Sequence, residues 1–272
     1  MNIKEKQEKL ESILLTMDDL VVAYSGGVDS ALVLAMACKV LGSRVVAVTG
    51  ESDSLPAREM ELAKKLAHEL GAEHKIIATR EMDSDNYKSN PQNRCYHCKT
   101  ELYSQLRNIA NNLKFKNIAN GINLDDMGDY RPGILAAKEA NICSPLRDAG
   151  LNKQDVRDLA RNISLPVWGK PAAACLSSRV PFGQPITPEK LGMIEEAEDF
   201  LLSLNFSQVR VRHHGDIARI ELPLEEIPLL LKGEFSEKIS QKLKTLGFKF
   251  ITVDIEGYRS GSFNPTALNK NG

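Results

Sequence analysis

The chain has 272 residues, 42% of them hydrophobic and 26% charged, with a formal net charge of -1. That length allows one substantial core and a smaller second domain, and no run approaches the roughly 18 consecutive apolar residues of a membrane span. Near-neutral charge without a block of like charges argues against a surface that grips nucleic acid and for a small substrate, and the charged stretch Met1–Lys9 leads us to expect a cytoplasmic protein.

Leu20–Tyr24 is a short apolar run, followed by Ser25-Gly26-Gly27 and the almost wholly apolar Val28–Leu41: strand, tight turn, buried helix. Arg44–Thr49 repeats the strand signal. Ser54 and Pro56 then open a helix striped by Met60, Ala63, Leu66, Ala67 and Leu70 and stopped by Gly71. Lys75–Ala78 predicts a third strand, Glu101 the start of a helix bearing Leu102, Leu106, Ile109 and Leu113, and Asn117–Ile122 a fourth strand. This alternation predicts an α/β fold: a mostly parallel sheet with helices on both faces.

Asn152 caps a helix carrying Val156, Leu159, Ala160 and Ile163, which Pro166 ends. Prolines and glycines mark 166–188 as a structured connector. Beyond it, Thr187-Pro188 starts a helix bearing Leu191, Ile194, Ala197, Leu201 and Leu204. Alternation in 209–212 and 218–222 predicts two half-exposed strands of a hairpin, and a helix through Ile239, Leu243 and Leu246 with a strand at Lys249–Ile255 completes a small α+β domain. The expected domains are 1–186 and 187–272.

Ser25-Gly26-Gly27-Val28-Asp29-Ser30 falls where an α/β sheet places ligands, between its first strand and the next helix. Two glycines let backbone N–H groups converge on an anion, Ser25 and Ser30 add hydroxyl donors, and Asp29 beside phosphate calls for Mg²⁺ between them. The Walker pattern with its lysine is absent, which disfavours γ-phosphoryl transfer. The hexapeptide resembles the SGGxDS signature of the PP-loop ATP pyrophosphatases. That likeness implies cleavage of ATP between its α- and β-phosphates, adenylylation of a substrate oxygen, and displacement of AMP by nitrogen or sulfur.

Five cysteines without a signal peptide suggest thiol or metal chemistry rather than a disulfide framework. Cys38 lies in an apolar run and reads as a packed core thiol. Cys95 and Cys98 form a C-x-x-C just before the helix expected from Glu101, and Cys175 lies in Lys170-Pro171-Ala172-Ala173-Ala174-Cys175-Leu176-Ser177-Ser178-Arg179. Three readings stand: a [4Fe–4S] cluster on Cys95, Cys98 and Cys175 with one open iron for sulfide, a redox or persulfide thiol system, and structural zinc completed by His97 or Cys143.

Jointly, SGGVDS, RCYHCK, DYRPG (129–133), KPAAACLSSR, VRVRHHGDIARIELP (209–223) and GYRSGS (257–262) resemble the LarE family through almost the whole chain. LarE proteins are sulfur transferases in the synthesis of the nickel-pincer nucleotide of lactate racemase. The resemblance implies that ATP and Mg²⁺ activate the carboxylates of pyridinium-3,5-biscarboxylic acid mononucleotide, that Asp29 and Cys175 are catalytic, and that the protein is a homo-oligomer of the three-cysteine, cluster-binding kind. Substrate contacts are expected from Asp129, Arg131, Ser178, Arg179, Arg210, Arg212 and Arg259, whose hydroxyl, carboxylate and guanidinium groups suit a mononucleotide. Glu198 and Glu221 fall at family positions associated with metal, but by residue type they read as solvated carboxylates, and His213 and His214 as surface residues.

Rival readings differ in testable ways. A PP-loop tRNA thiolase could also use three cysteines and a cluster, but needs basic surface and salt-sensitive RNA binding. An ammonia-dependent amidating synthetase would hold zinc and no iron. A nucleotide-binding regulatory module would release no pyrophosphate, against which Asp29 and Ser30 speak.

Overall fold

The computed structural model describes residues 1–128, 132–171 and 173–259. In chain order its regular elements are α1 (Ile3–Leu15), β1 (Leu20–Ala23), α2 (Val28–Leu41), β2 (Val45–Glu51), α3 (Ala57–Glu69), β3 (Glu73–Ala78), α4 (Asp85–Lys88), α5 (Arg94–Leu113), β4 (Ile118–Ala119), α6 (Pro132–Glu139), α7 (Pro145–Asp148), α8 (Lys153–Asn162), α9 (Pro188–Ser203), β5 (Arg210–His214), β6 (Ile217–Glu221), α10 (Ile227–Leu230), α11 (Gly233–Thr245) and β7 (Phe250–Val253). No described helix is long and apolar enough to cross a membrane. Contacts divide the chain into two units: residues 1–81 with 93–173, and Met82–Gln92 with the chain from Ala174 on.

The first unit holds a parallel sheet in the order β3-β2-β1-β4. Successive strand residues face opposite sides, so the continuous apolar runs of β1 and β2 supply two cores. Leu20, Val22, Val45 and Ala47 pack in a core with α1, α2 and α8, whereas Val21, Val46 and Val48 pack in another with α5 and α6. Helix α1 lies in the stretch read above only as polar. Its start is a capping box: Asn2 Oδ1 accepts from the Glu5 amide at 3.0 Å, and Glu5 Oε2 accepts from the Asn2 amide at 2.9 Å. Leu10 and Leu14 then bury its inner face.

Two expected boundaries move. Helix α5 begins at Arg94 rather than Glu101, so Cys95 and Cys98 lie inside its first turns; once nucleated, a helix gains a hydrogen bond for each residue added. Helix α8 ends at Asn162, before Pro166; Ser164, just past its cap, is in the left-handed region (φ 58), with the Leu165 amide donating to Ala160 O at 2.8 Å.

The second unit has a three-stranded sheet, β5-β6-β7, antiparallel then parallel. Ala197 and Leu201 of α9, Ile239 and Leu243 of α11, and Val211, Ala218 and Ile220 of the sheet form its core. The expected cut lay at 186/187; here 174–186 packs with this unit. Tyr87 Oη and Ser177 Oγ lie 2.7 Å apart, Asn90 Nδ2 donates to Pro181 O at 2.8 Å, and the Gly183 amide donates to Asn90 O at 2.9 Å.

Candidate functional site

In the sheet of the first unit, β1 is flanked by β2 and β4, so the chain leaves β1 toward one side and β4 is added on the other. The carboxyl end of that pair is where α/β sheets open a ligand crevice. Both loops there are built for close approach. Gly26 has φ +70, and a Cβ on it would lie 2.9 Å from Ala63 Cβ; a Cβ on Gly121 would lie 2.7 Å from the Ser30 amide nitrogen and 2.9 Å from Asp29 C.

Helix α2 starts from Gly27, which supplies no side-chain cap. Glycine in place of a capping side chain costs only about a few tenths of a kcal/mol, against roughly 1.5–3 kcal/mol for each buried large apolar side chain. Leu32, Val33, Leu34 and Met36 therefore hold the helix while its first amides stay available to an anion. Ser30 Oγ accepts from the Ser25 amide at 3.2 Å, donates to Gly27 O at 3.2 Å, and lies 3.2 Å from Ser25 Oγ, which fixes the turn.

Asp29 is held from two sides. Asn123 Nδ2 donates to its Oδ1 at 3.0 Å, and Lys153 Nζ forms an ion pair with its Oδ2. The supporting loop is tied by Asp126 Oδ2, which accepts from the Asn123 amide at 3.0 Å, and by Asp125 Oδ2, which accepts from the Lys153 amide at 2.9 Å. Lys153 escaped the sequence reading. The Asn152–Asp155 capping box marks its helix, but nothing local points its side chain at Asp29. A Gly121→Ala variant should lower pyrophosphate release by about tenfold or more, because the new methyl meets the backbone at Asp29 and Ser30 and displaces the loop; a steady-state pyrophosphate assay checks this.

The fit to a divalent cation is one of donor chemistry: a hard cation such as Mg²⁺ takes one or two carboxylates and completes its shell with water and phosphate oxygens, and Asp29 is the carboxylate in the first turn of α2. None of the five cysteines is in a disulfide. Cys95 and Cys98, three apart on α5, share a helix face; Cys175 precedes the 3₁₀ turn Leu176–Arg179 in the second unit. Among the described residues no group of three or more histidine, cysteine, aspartate or glutamate side chains is gathered in a form that could hold a metal ion. Burial pushes the Cys38 and Cys143 thiols up, as in packed positions.

Asp129 and Arg131 lie outside the described residues, as do the last residues of the 257–262 motif. The remaining basic candidates belong to the second unit. Arg179 and Glu198 form a buried fork, Nε–Oε1 2.8 Å and NH2–Oε2 3.0 Å, and Arg212 and Glu221 a second, at 2.9 and 2.7 Å. Glu198 and Glu221 are therefore not solvated; they are counter-ions of the arginines. Burial alone would raise the Glu198 pKa, but the Arg179 charge and hydrogen bonds, helped by Arg210 and the Val211 amide, hold it below the ordinary range.

Arg210 stacks its guanidinium 5.3 Å from the Tyr258 ring centre, and burial together with the neighbouring Arg179 charge pulls its pKa down. Arg259 is 45% exposed and pairs with Glu256 at 2.7 Å. His213 is not a surface residue: it is 5% exposed, its ring centre lies 5.3 Å from that of Phe248, and burial lowers its pKa, as it does for His214.

A family pattern described as NAD synthase matches residues 5–120. A Lactiplantibacillus plantarum protein named pyridinium-3,5-bisthiocarboxylic acid mononucleotide synthase is 40% identical over 262 residues, covering 96% of this chain and 94% of its own. An uncharacterised protein of Synechocystis sp. is 44% identical over 262 residues, 96% of this chain and 98% of its own. More distantly, a glutamine-hydrolysing GMP synthase component from Saccharolobus islandicus is 25% identical over 218 residues, 70% of this chain and 57% of its own.

Proposed function

This chain belongs to the LarE family, and from that premise we propose that it is the ATP-dependent sulfur transferase that turns the carboxylates of pyridinium-3,5-biscarboxylic acid mononucleotide into thiocarboxylates. The observation that carries the reading is the near full-length likeness to a synthase of the bisthiocarboxylic product, joined to a glycine turn that opens α2 without a side-chain cap at the β1–α2 junction.

A carboxylate oxygen of the substrate attacks the α-phosphorus of ATP. The bond from that phosphorus to the bridging oxygen breaks, and pyrophosphate leaves toward the amides that open α2 and the hydroxyls of Ser25 and Ser30. Asp29 would hold Mg²⁺, which neutralises charge on the phosphates when bound. Sulfide then adds to the adenylylated carbon, and AMP departs with the former carboxylate oxygen. Each round exchanges one oxygen for one sulfur and consumes one ATP.

Cys95, Cys98 and Cys175 would hold a [4Fe–4S] cluster, whose fourth iron would supply sulfide. Arg210, together with Ser178, Arg212 and Arg259, is the proposed seat of the substrate phosphate, and Asp129 and Arg131 of the rest of the mononucleotide. We carry the family expectation of a homo-oligomer into the same proposal.

Iron and acid-labile sulfide, measured in protein purified without oxygen, test the cluster. About four irons per chain, lost in Cys175→Ala, are expected. Zinc without iron, with AMP formation that requires ammonia, would instead favour an amidating synthetase.

A further inference from the structure

The turn that presents Cys175 is braced by the two arginine–glutamate forks. Arg179 and Glu198 have side chains 1% and 0% exposed. Beyond its fork to Glu198, Arg179 NH1 reaches Ala174 O at 2.8 Å, Cys175 O at 3.0 Å and Ser178 Oγ at 2.9 Å. Ser178 Oγ in turn donates to Cys175 O at 2.8 Å, and Arg212 NH1 donates to Ser178 O at 2.9 Å. Glu198 also accepts from the Val211 amide at 3.1 Å, which ties the assembly to α9 and β5.

Arg179, with its side chain 1% exposed against 7% for Arg212, turns its guanidinium N–H groups onto Glu198 and the protein's own carbonyls rather than toward solvent. We infer that Arg179, backed by Glu198, is a positioning residue for Cys175 and not a ligand of substrate phosphate. It fixes the carbonyls of residues 174 and 175, and through them the direction in which the Cys175 side chain leaves the backbone. A buried pair of this kind gives little net stability over an apolar pair of similar volume. What it supplies is geometry, because a planar guanidinium can hold a carboxylate with one edge and carbonyls with the other, which a lysine ammonium cannot. The consequence for catalysis, though not the geometry, rests on the sulfur transfer proposed above.

The test compares the full-length wild type with Arg179→Lys and with the paired variant Arg179→Met/Glu198→Leu, which removes both opposite charges of the fork together. Pyrophosphate and thiocarboxylate are measured with the same mononucleotide, and iodoacetamide labelling of each cysteine is followed by peptide mass spectrometry in protein prepared without iron. Positioning requires that the ratio of thiocarboxylate to pyrophosphate fall by about tenfold or more in both variants, with substrate KM little changed. It also requires that labelling of Cys175 shift severalfold while Cys95 and Cys98 keep their wild-type rates. A raised KM at constant product ratio would make Arg179 a phosphate ligand and overturn the inference, as would Cys175 labelling that ignores both variants. If the wild type released pyrophosphate without thiocarboxylate while Cys175 labelling still responded to Arg179→Lys, positioning would stand and the sulfur-transfer reading would fall.

Discussion

Changing Asp29 to alanine is expected to lower pyrophosphate release by roughly 10²–10³-fold at saturating ATP. The carboxylate stands in the first turn of α2, where its charge would repel phosphate unless a cation lay between them. Asn123 and Lys153 hold it from both sides, so its place is set before ATP arrives. Alanine removes the proposed metal ligand and leaves Lys153 without that counter-ion. Asp29→Asn keeps size and hydrogen bonding but not charge, and should fall nearly as far. Pyrophosphate release over a range of Mg²⁺ concentrations checks both; if the asparagine variant lost less than about tenfold, the metal would have to rest on other ligands.

The second large effect is on stability. Arg179→Ala should destabilise the second unit by roughly 3–5 kcal/mol, because it leaves Glu198 charged and buried without its fork, with the Arg210 charge and the Val211 amide remaining. Arg179→Met/Glu198→Leu should cost much less, since neither charge is then stranded. Hydrogen exchange at amides of β5, followed with thermal unfolding, measures the difference. The sign with pH follows from the depressed Glu198 pKa. The stabilisation by its ionised form is fully present above the ordinary glutamate value of 4.5 and is lost as pH falls through the lower folded value. Glu198→Gln should flatten that acid-side loss; an unchanged acid profile would place the titration elsewhere.

The strand–turn–helix that carries Ser25–Ser30 was legible because its signals are local. Apolar strand, paired glycines and apolar helix follow one another within Leu20–Leu41, and the backbone there has little alternative. The forks were not legible, because alternation in Val209–Arg212 and Ala218–Leu222 marks arginine and glutamate as outward. Outward from the helix-packed face of this sheet is not outward to water: Arg212 reaches Ser178 O, and its neighbour Arg219 reaches the same Glu221 at 2.8 Å. Lys153 was missed for a related reason. Its partner Asp29 is 124 residues away in sequence, and only the folded loops bring the two together. The start of α5 failed differently, since Arg94–Lys99 reads as a cysteine motif and hides the first turns of a helix whose apolar stripe is plain only from Leu102.

The most direct measurement is mass spectrometry of pyridinium-3,5-biscarboxylic acid mononucleotide incubated with the anaerobically purified protein, ATP, Mg²⁺ and sulfide. The proposed chemistry requires replacement of carboxylate oxygen by sulfur, with one AMP and one pyrophosphate formed per exchange. An unchanged mononucleotide while the protein forms AMP with ammonia, or thiolates tRNA, would contradict it.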